Sequence, residues 1–197
     1  MNESLQYPPK NRASRWRVAG WGAAATLLVL PLIAMQFTDE VNWTGSDFAV
    51  FGAMLLVAGA VIELAVRKSR DRPYRLAAVV AVAAAFVLVW VNLAVGIIGS
   101  ENNPANRMFA GVLVVAVFGA MLARFRSLGM ARAMVATAIT QILVAAVAIV
   151  SDLGPDTAKW PWDLVFLTTF FTSLWLVSAR LFRVAALTSP VMQESKR

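Results

Sequence analysis

The sequence predicts an all-α fold: a polytopic membrane bundle of six transmembrane helices with the N- and C-termini both cytoplasmic. Three observations carry this. Hydrophobic residues make up 59% of the chain and charged residues only 15%, against about 25% charged in a soluble domain. The apolar residues fall into six runs, most of them long enough at about 1.5 Å per residue to cross a hydrocarbon core of about 30 Å. Of the 18 Lys and Arg, all but Arg107 and Lys159 lie in the tails, in alternate gaps between those runs, or at the run ends that face them, which is the charge bias that orients membrane helices.

The sign of the charge on each side decides what it is for. The segments assigned to the cytoplasm hold 16 basic and four acidic residues (Glu3, Glu63, Asp71, Glu194), a net of +12. The opposite loops hold two basic and seven acidic residues (Asp39, Glu40, Asp47, Glu101, Asp152, Asp156, Asp163), a net of −5. This split serves orientation in a lipid bilayer and contact with anionic headgroups at the cytoplasmic face. No basic patch is interleaved with stacking aromatics, so nucleic acid is not an expected partner.

The chain contains no cysteine and no histidine. Disulfides, thiolate nucleophiles, histidine-ligated metals and Ser-His or Cys-His catalysis are therefore impossible within it. No phosphate-binding or dinucleotide-binding glycine motif is present, and no span sets a lysine beside a serine. The expectation is a protein with no cofactor, no metal and no catalytic activity of its own.

Residues 1–15 are polar and carry Pro8-Pro9, Lys10, Arg12 and Arg15, which reads as a disordered cytoplasmic tail before a transmembrane domain over 16–183. The first span is expected over 17–37. Its apolar run is too long for a signal-peptide core and no A-x-A site follows. Pro31 removes the partner of the Leu27 carbonyl and predicts a kink. Asp47 is the expected N-cap of the second span, 48–66. A basic loop with Arg67, Lys68, Arg70, Arg72 and Arg75 precedes the third span, 76–98, which Gly99 and the polar run to Pro104 should end. Asn106 is the expected cap of a short fourth span, 108–123, flanked by Arg107 and Arg124 that can snorkel to opposite interfaces. The turn Arg124–Gly129 leads to the fifth span, 130–150. Asp163 is the expected cap of the sixth, 163–180, and 184–197 reads as a cytoplasmic tail.

Interfacial aromatics fit this map: Trp16 and Trp21 at one end of the first span, and Phe37, Trp43, Phe48, Trp160 and Trp162 at the other face. Two segments, Trp43 to Asp47-Phe48 and Trp160 to Asp163-Leu164, each set a Trp before an expected capping Asp. Independent use of the same anchors explains this better than an internal repeat. Loops are short, so neighbouring spans should form antiparallel hairpins.

Candidate functional residues are the polar groups within spans. Glu63 sits near the basic end of the second span, one helical turn before Arg67. An interfacial ion pair is the favoured reading and a proton- or cation-coupling carboxylate the alternative. Gly52, Leu56, Gly59 and Glu63 share a face, which would point the carboxylate inward. Asn92 shares a face with Gly96 and Gly99, as expected of a close helix approach fastened by one amide. Gln141 aligns with Thr137, Ala145 and Ala148. Thr168 lies beside Thr172 and Thr169 beside Ser173, and all four hydroxyls can bond their own helix carbonyls. Convergence of Glu63, Asn92, Gln141 and Thr172 on one cavity would make a solute path. Asp152, Asp156 and Asp163 share one loop without the spacing of a calcium loop.

Some runs resemble a family of small bacterial multi-span inner-membrane proteins with no assigned activity. They are Asn42-Trp43 through Asp47-Phe48, Glu63-Leu64, Arg67-Lys68, Tyr74-Arg75, Trp90 through Glu101 into Asn103-Pro104-Ala-Asn106, and Gly119-Ala120 through Ala133. The resemblance covers about residues 30 to 150 and implies a bacterial inner-membrane location. It brings no site residues.

The function expected from these features is a non-catalytic accessory or structural component acting through helix–helix contacts, as a homo-oligomer or with a larger membrane partner. The alternative is a small transporter or channel for a small solute or ion. Reporter domains fused after Arg70 and after Asn102 should report opposite sides of the membrane; the same side for both would refute the charge-based topology.

Overall fold

The computed structural model describes residues 12–69, 71–154 and 159–188, with side chains from residue 17 onward. Most of the expected tail 1–15, the side chain of Trp16, and Arg70, Pro155 and Asp156 lie outside the described set, as does the end of the expected tail 184–197. Every regular element among the described residues is helical: α1 Arg12–Ala34, α2 Gly45–Lys68, α3 Arg72–Ala94, a 3₁₀ turn Pro104–Met108, α4 Phe109–Leu122, α5 Ser127–Val150 and α6 Trp162–Leu187. Six helical segments are long and apolar enough to cross a membrane, the fourth only when the 3₁₀ turn is joined to α4. Such segments suit a lipid solvent because a helix satisfies its backbone polar groups internally. The chain divides into two compact units, 1–61 and 62–197, with the boundary inside α2.

In the first unit, α1 runs through Pro31 and stops at Ala34, earlier than the expected Phe37. Tight i→i+3 bonds from Gln36 and Phe37 to the carbonyls of Ile33 and Ala34 close it. Glycines on α2 face large side chains of α1. A Cβ on Gly59 would lie 3.1 Å from the Trp21 ring, and one on Gly52 would lie 3.8 Å from Leu28. None of the described α1 side chains is buried, and Phe51 is the buried residue of α2.

The start of α2 corrects the expected cap. The helix begins at Gly45, so Asp47 lies in its first turn. Thr44 precedes it, and its hydroxyl accepts from the Asp47 amide at 3.4 Å. The Asp47 carboxylate reaches back to accept from the Thr44 amide at 2.7 Å. This reciprocal pair is a capping box, in which the acid supplies the third-residue half. Trp43 packs edge-on against Phe48 and Phe51 at centroid distances of 5.1 and 5.3 Å.

In the second unit, α6 packs against both α3 and α5, and α5 packs against α4. Alanines make this closeness possible. Ala77, Ala84, Ala138, Ala145, Ala148, Ala179 and Ala185 are all buried, interleaved with Leu88, Phe171, Trp175 and Phe182. Small side chains let helices approach where water supplies no driving force between them. The Ser178 hydroxyl crosses from α6 to the Ala77 carbonyl on α3 at 2.9 Å and fixes their antiparallel register. Tyr74 meets Phe182 edge-on at 5.1 Å. Gly119 of α4 faces Ala133 of α5, where an added Cβ would lie 2.8 Å from the alanine methyl.

Helix ends in the second unit differ from expectation as well, α3 starting at Arg72 ahead of the expected Leu76. α3 stops at Ala94, not Ile98, because Gly96 takes a left-handed φ of +73°. Ile97 and Ile98 then turn inward and are buried. α5 starts at Ser127, ahead of the expected Met130, because Arg124 and Phe125 both adopt left-handed φ, 48° and 58°, and turn the chain within two residues. Such backbone is costly for residues with a Cβ. The Lys68 ammonium donates to the Arg124 carbonyl at 3.3 Å and the Tyr74 hydroxyl to the Phe125 carbonyl at 3.0 Å. The Lys68 ammonium also sits 4.9 Å from the centre of the Phe125 ring. α6 continues to Leu187, so Arg180 and Arg183 lie within the helix rather than at its end.

A Cβ on Gly96 would fall 2.4 Å from the Ser100 carbonyl oxygen and 2.7 Å from the Asn106 amide nitrogen. Gly96→Ala should therefore cost about 2–3 kcal/mol from left-handed strain and overpacking together. Gly111→Ala, where a Cβ meets nothing within 4 Å, should leave the thermal midpoint in detergent essentially unchanged. Equal midpoints for the two variants would refute this account of the α3 end.

Candidate functional site

Two polar constellations stand out in the second unit, one at the end of α3 and one in the interior. The first is built on Asn106. Its backbone belongs to the 3₁₀ turn and its side chain is buried. The amide oxygen accepts from the Ile97 and Ile98 backbone amides at 2.9 and 2.8 Å. The amide nitrogen donates to the Ser100 carbonyl at 2.7 Å and lies 3.4 Å from that of Ile98. One carboxamide thus supplies partners to backbone groups of Ile97, Ile98 and Ser100 where α3 has ended. Asn106 is not the cap expected for the fourth span. That role falls to Asn103, whose side-chain oxygen accepts from the Ala105 amide at 2.9 Å.

Asn103 also donates to the Leu153 carbonyl at 2.6 Å, tying this turn to the α5–α6 connection. There Asp152, at φ +46°, accepts from the Trp160 indole at 2.9 Å. Gly154 lies against that ring, where a Cβ would approach to 2.6 Å. Asp163 does not cap α6: Pro161 occupies the cap position, without a side-chain hydrogen bond, and Asp163 lies in the first helical turn. The similar Trp-to-Asp segments therefore use different bonds, Thr44 with Asp47 in one and Asp152 with Trp160 in the other. Between the two turns is a cleft of about 300 Å³ lined by Gly96, Ile97, Trp160, Asp163, Leu164 and Leu167, among others.

The second set of polar groups is carried by α5 and α6, which pack against each other. Gln141 is fully buried, on one face with Thr137, Ala145 and Ala148 as expected. Neither its amide oxygen nor its amide nitrogen has a hydrogen-bond partner in the protein. The hydroxyls of Thr168 and Thr172 and the indole nitrogen of Trp175 are buried and unpartnered as well. Back-bonding to the helix holds for Thr169 and Ser173, at 2.8 and 2.7 Å. It fails for Thr168 and Thr172, the two that face inward.

The remaining candidates sit elsewhere. Glu63 and Arg67 form the expected i,i+4 pair at 2.7 Å, with the Arg67 side chain 66% exposed, so its electrostatic worth is small. Leu56, on the same helical stripe, is exposed. Asn92 donates to the Asn106 carbonyl at 3.0 Å, while its own side-chain oxygen is buried without a partner. Gly96 and Gly99, the second at φ +69°, are turn residues beyond the helix, not an approach face. Of the four residues whose convergence would make a solute path, Gln141 and Thr172 lie on neighbouring helices. Asn92 belongs to the acidic-side turn, and Glu63 lies near the arginine-rich end. Trp175 and Thr168 complete the inward set, and sequence reasoning passed over Trp175 because an apolar ring hides one donor.

The chain matches no protein-family model, no curated protein and no solved structure.

Asn106→Leu should destabilise by about 3 kcal/mol, since two buried backbone amides lose their acceptor at about 1–3 kcal/mol each. Asn102→Ala, at an exposed position of the same loop, should stay within about 0.5 kcal/mol. Denaturant unfolding in detergent checks the order, and a reversed order would refute the role given to Asn106.

Proposed function

We propose that this chain is a multi-pass protein of the bacterial inner membrane with both termini cytoplasmic. It acts as a non-catalytic accessory or structural component through helix–helix contacts, with a second copy or a larger membrane partner. The observation that carries the reading is α1: the whole helix buries none of its described side chains, and Leu30, Leu32 and Ile33 are about half exposed. Leu56, Val57 and Leu64 of α2 are exposed as well. In a bilayer such faces are covered by acyl chains or by other helices, and close packing favours helices. Location and orientation are supported by the charge split and by the resemblance to bacterial multi-span proteins. Anionic headgroups are the natural neighbours of the arginine-rich end.

The second reading, a small transporter or channel for a small solute or ion, is favoured by one observation. The Gln141 amide on α5 and the Thr168 and Thr172 hydroxyls on α6 are buried and unpartnered, and these two helices pack against each other. Unpaired polar groups within a membrane domain are expensive and commonly functional.

Purification in mild detergent with native mass measurement tests the first reading. The expected result is a homo-oligomer or a constant companion that is lost on Leu30→Trp or Ile33→Trp. A strictly monomeric, partner-free chain, together with solute uptake by proteoliposomes, would transfer the assignment to the second.

A further inference from the structure

The unpartnered polar atoms of the second unit are arranged by depth. Gln141 lies nine residues before the end of α5 and Thr172 ten residues after the start of α6. At the helical rise these distances are about 14 and 15 Å. Two antiparallel neighbours thus bring an amide and a hydroxyl to one level, near the middle of a core of about 30 Å. Thr168 lies about 9 Å from the α6 start and Trp175 about 20 Å. The Ser178–Ala77 bond sets the α3 register, which puts the unpaired oxygen of Asn92 level with the first turn of α6. Above that turn is the cleft of about 300 Å³, and Leu164, which lines it, is one turn from Thr168.

We propose that the seam between α5 and α6 is a binding site for a small neutral hydrogen-bonding molecule, with water as its smallest member, reached from the cleft beside Trp160. The site is polar but uncharged: no Asp, Glu, Lys or Arg occurs in 76–94, 109–122, 133–150 or 164–179. An ion taken into this low-dielectric interior would find no counter-charge. The unpaired groups demand a guest that both donates and accepts. The Asn92 oxygen only accepts and the Trp175 indole only donates, while the Gln141 amide and the threonine hydroxyls do both. Water, a small polyol or urea meets this requirement. Left without partners, each group would lose the stabilisation that a hydrogen bond restores to a buried polar atom. The proposal does not rest on either role given above, since a contact protein and a transporter can equally hold a hydrated seam.

The absence of cysteine makes the test clean. Thr172→Cys and, as a dry control, Leu88→Cys are prepared in the full chain in nanodiscs and treated with methyl methanethiosulfonate. The reagent needs a thiolate, which forms only where water reaches the sulfur, so Thr172→Cys should react at least about tenfold faster than Leu88→Cys. Equal inertness of the two would overturn the proposal. Should the cysteine variants fail to fold, Gln141→Leu decides. A lowered thermal midpoint is expected of a site that holds a guest, and a raised one, the signature of a dry unsatisfied amide, would overturn it. Glycerol or urea that slows the Thr172→Cys reaction places a solute-sized guest in the seam. Modification that they leave unchanged assigns the seam to water alone.

Discussion

A carboxamide buried at the end of α3 does what a helix ordinarily does for its own backbone. In lipid each exposed amide or carbonyl is costly, so a chain may leave a helix only where something else satisfies the freed groups. Asn106 accepts from two consecutive amides and donates to the carbonyl of Ser100. With that in place Ile97 and Ile98 can be buried outside a helix, α3 can end short, and the 3₁₀ turn can lead into α4. Asn103 extends the same solution to the α5–α6 connection through the Leu153 carbonyl.

The opposite end of the same unit meets the same constraint by other means. The left-handed pair Arg124 and Phe125 offers its carbonyls to Lys68 and Tyr74. The Arg75 guanidinium likewise caps the Ser69 and Val66 carbonyls at 2.8 and 3.2 Å. Long cationic side chains reach back to the last carbonyls of a helix with favourable charge. The basic residues on which the proposed orientation rests thus also finish the end of α2. Between the two sealed ends, alanine faces bring the helices close, and interior polar atoms of Asn92, Gln141, Thr168, Thr172 and Trp175 are among the described groups that the protein does not satisfy itself.

The existence and order of the six helices were legible in the sequence because hydropathy and charge report solvent, and solvent decides which segments become long apolar helices. The ion pair of Glu63 with Arg67 and the inward face of Gln141 were legible because helical periodicity alone fixes them. The ends were not. A capping acid in the third position of a box looks in sequence like the cap itself, as Asp47 did. A glycine on the periodic face of a helix looks like a packing seam until its φ is known, as Gly96 did. Thr168 and Thr169 have the same side chain, yet one faces inward unpartnered and the other bonds Val165. Only the packing of α6 against α3 and α5 separates them. The pairing of Asn106 with a turn eight residues earlier leaves no periodic trace at all.

Amide hydrogen exchange in nanodiscs addresses the sealing role of Asn106 directly, residue by residue. The backbone amides of Ile97 and Ile98 should exchange as slowly as those in the buried half of α3. The amides of Glu101 and Asn102, which lie exposed a few residues on, should exchange fast. Rapid exchange at Ile97 and Ile98, at the rate of that exposed loop, would contradict the account.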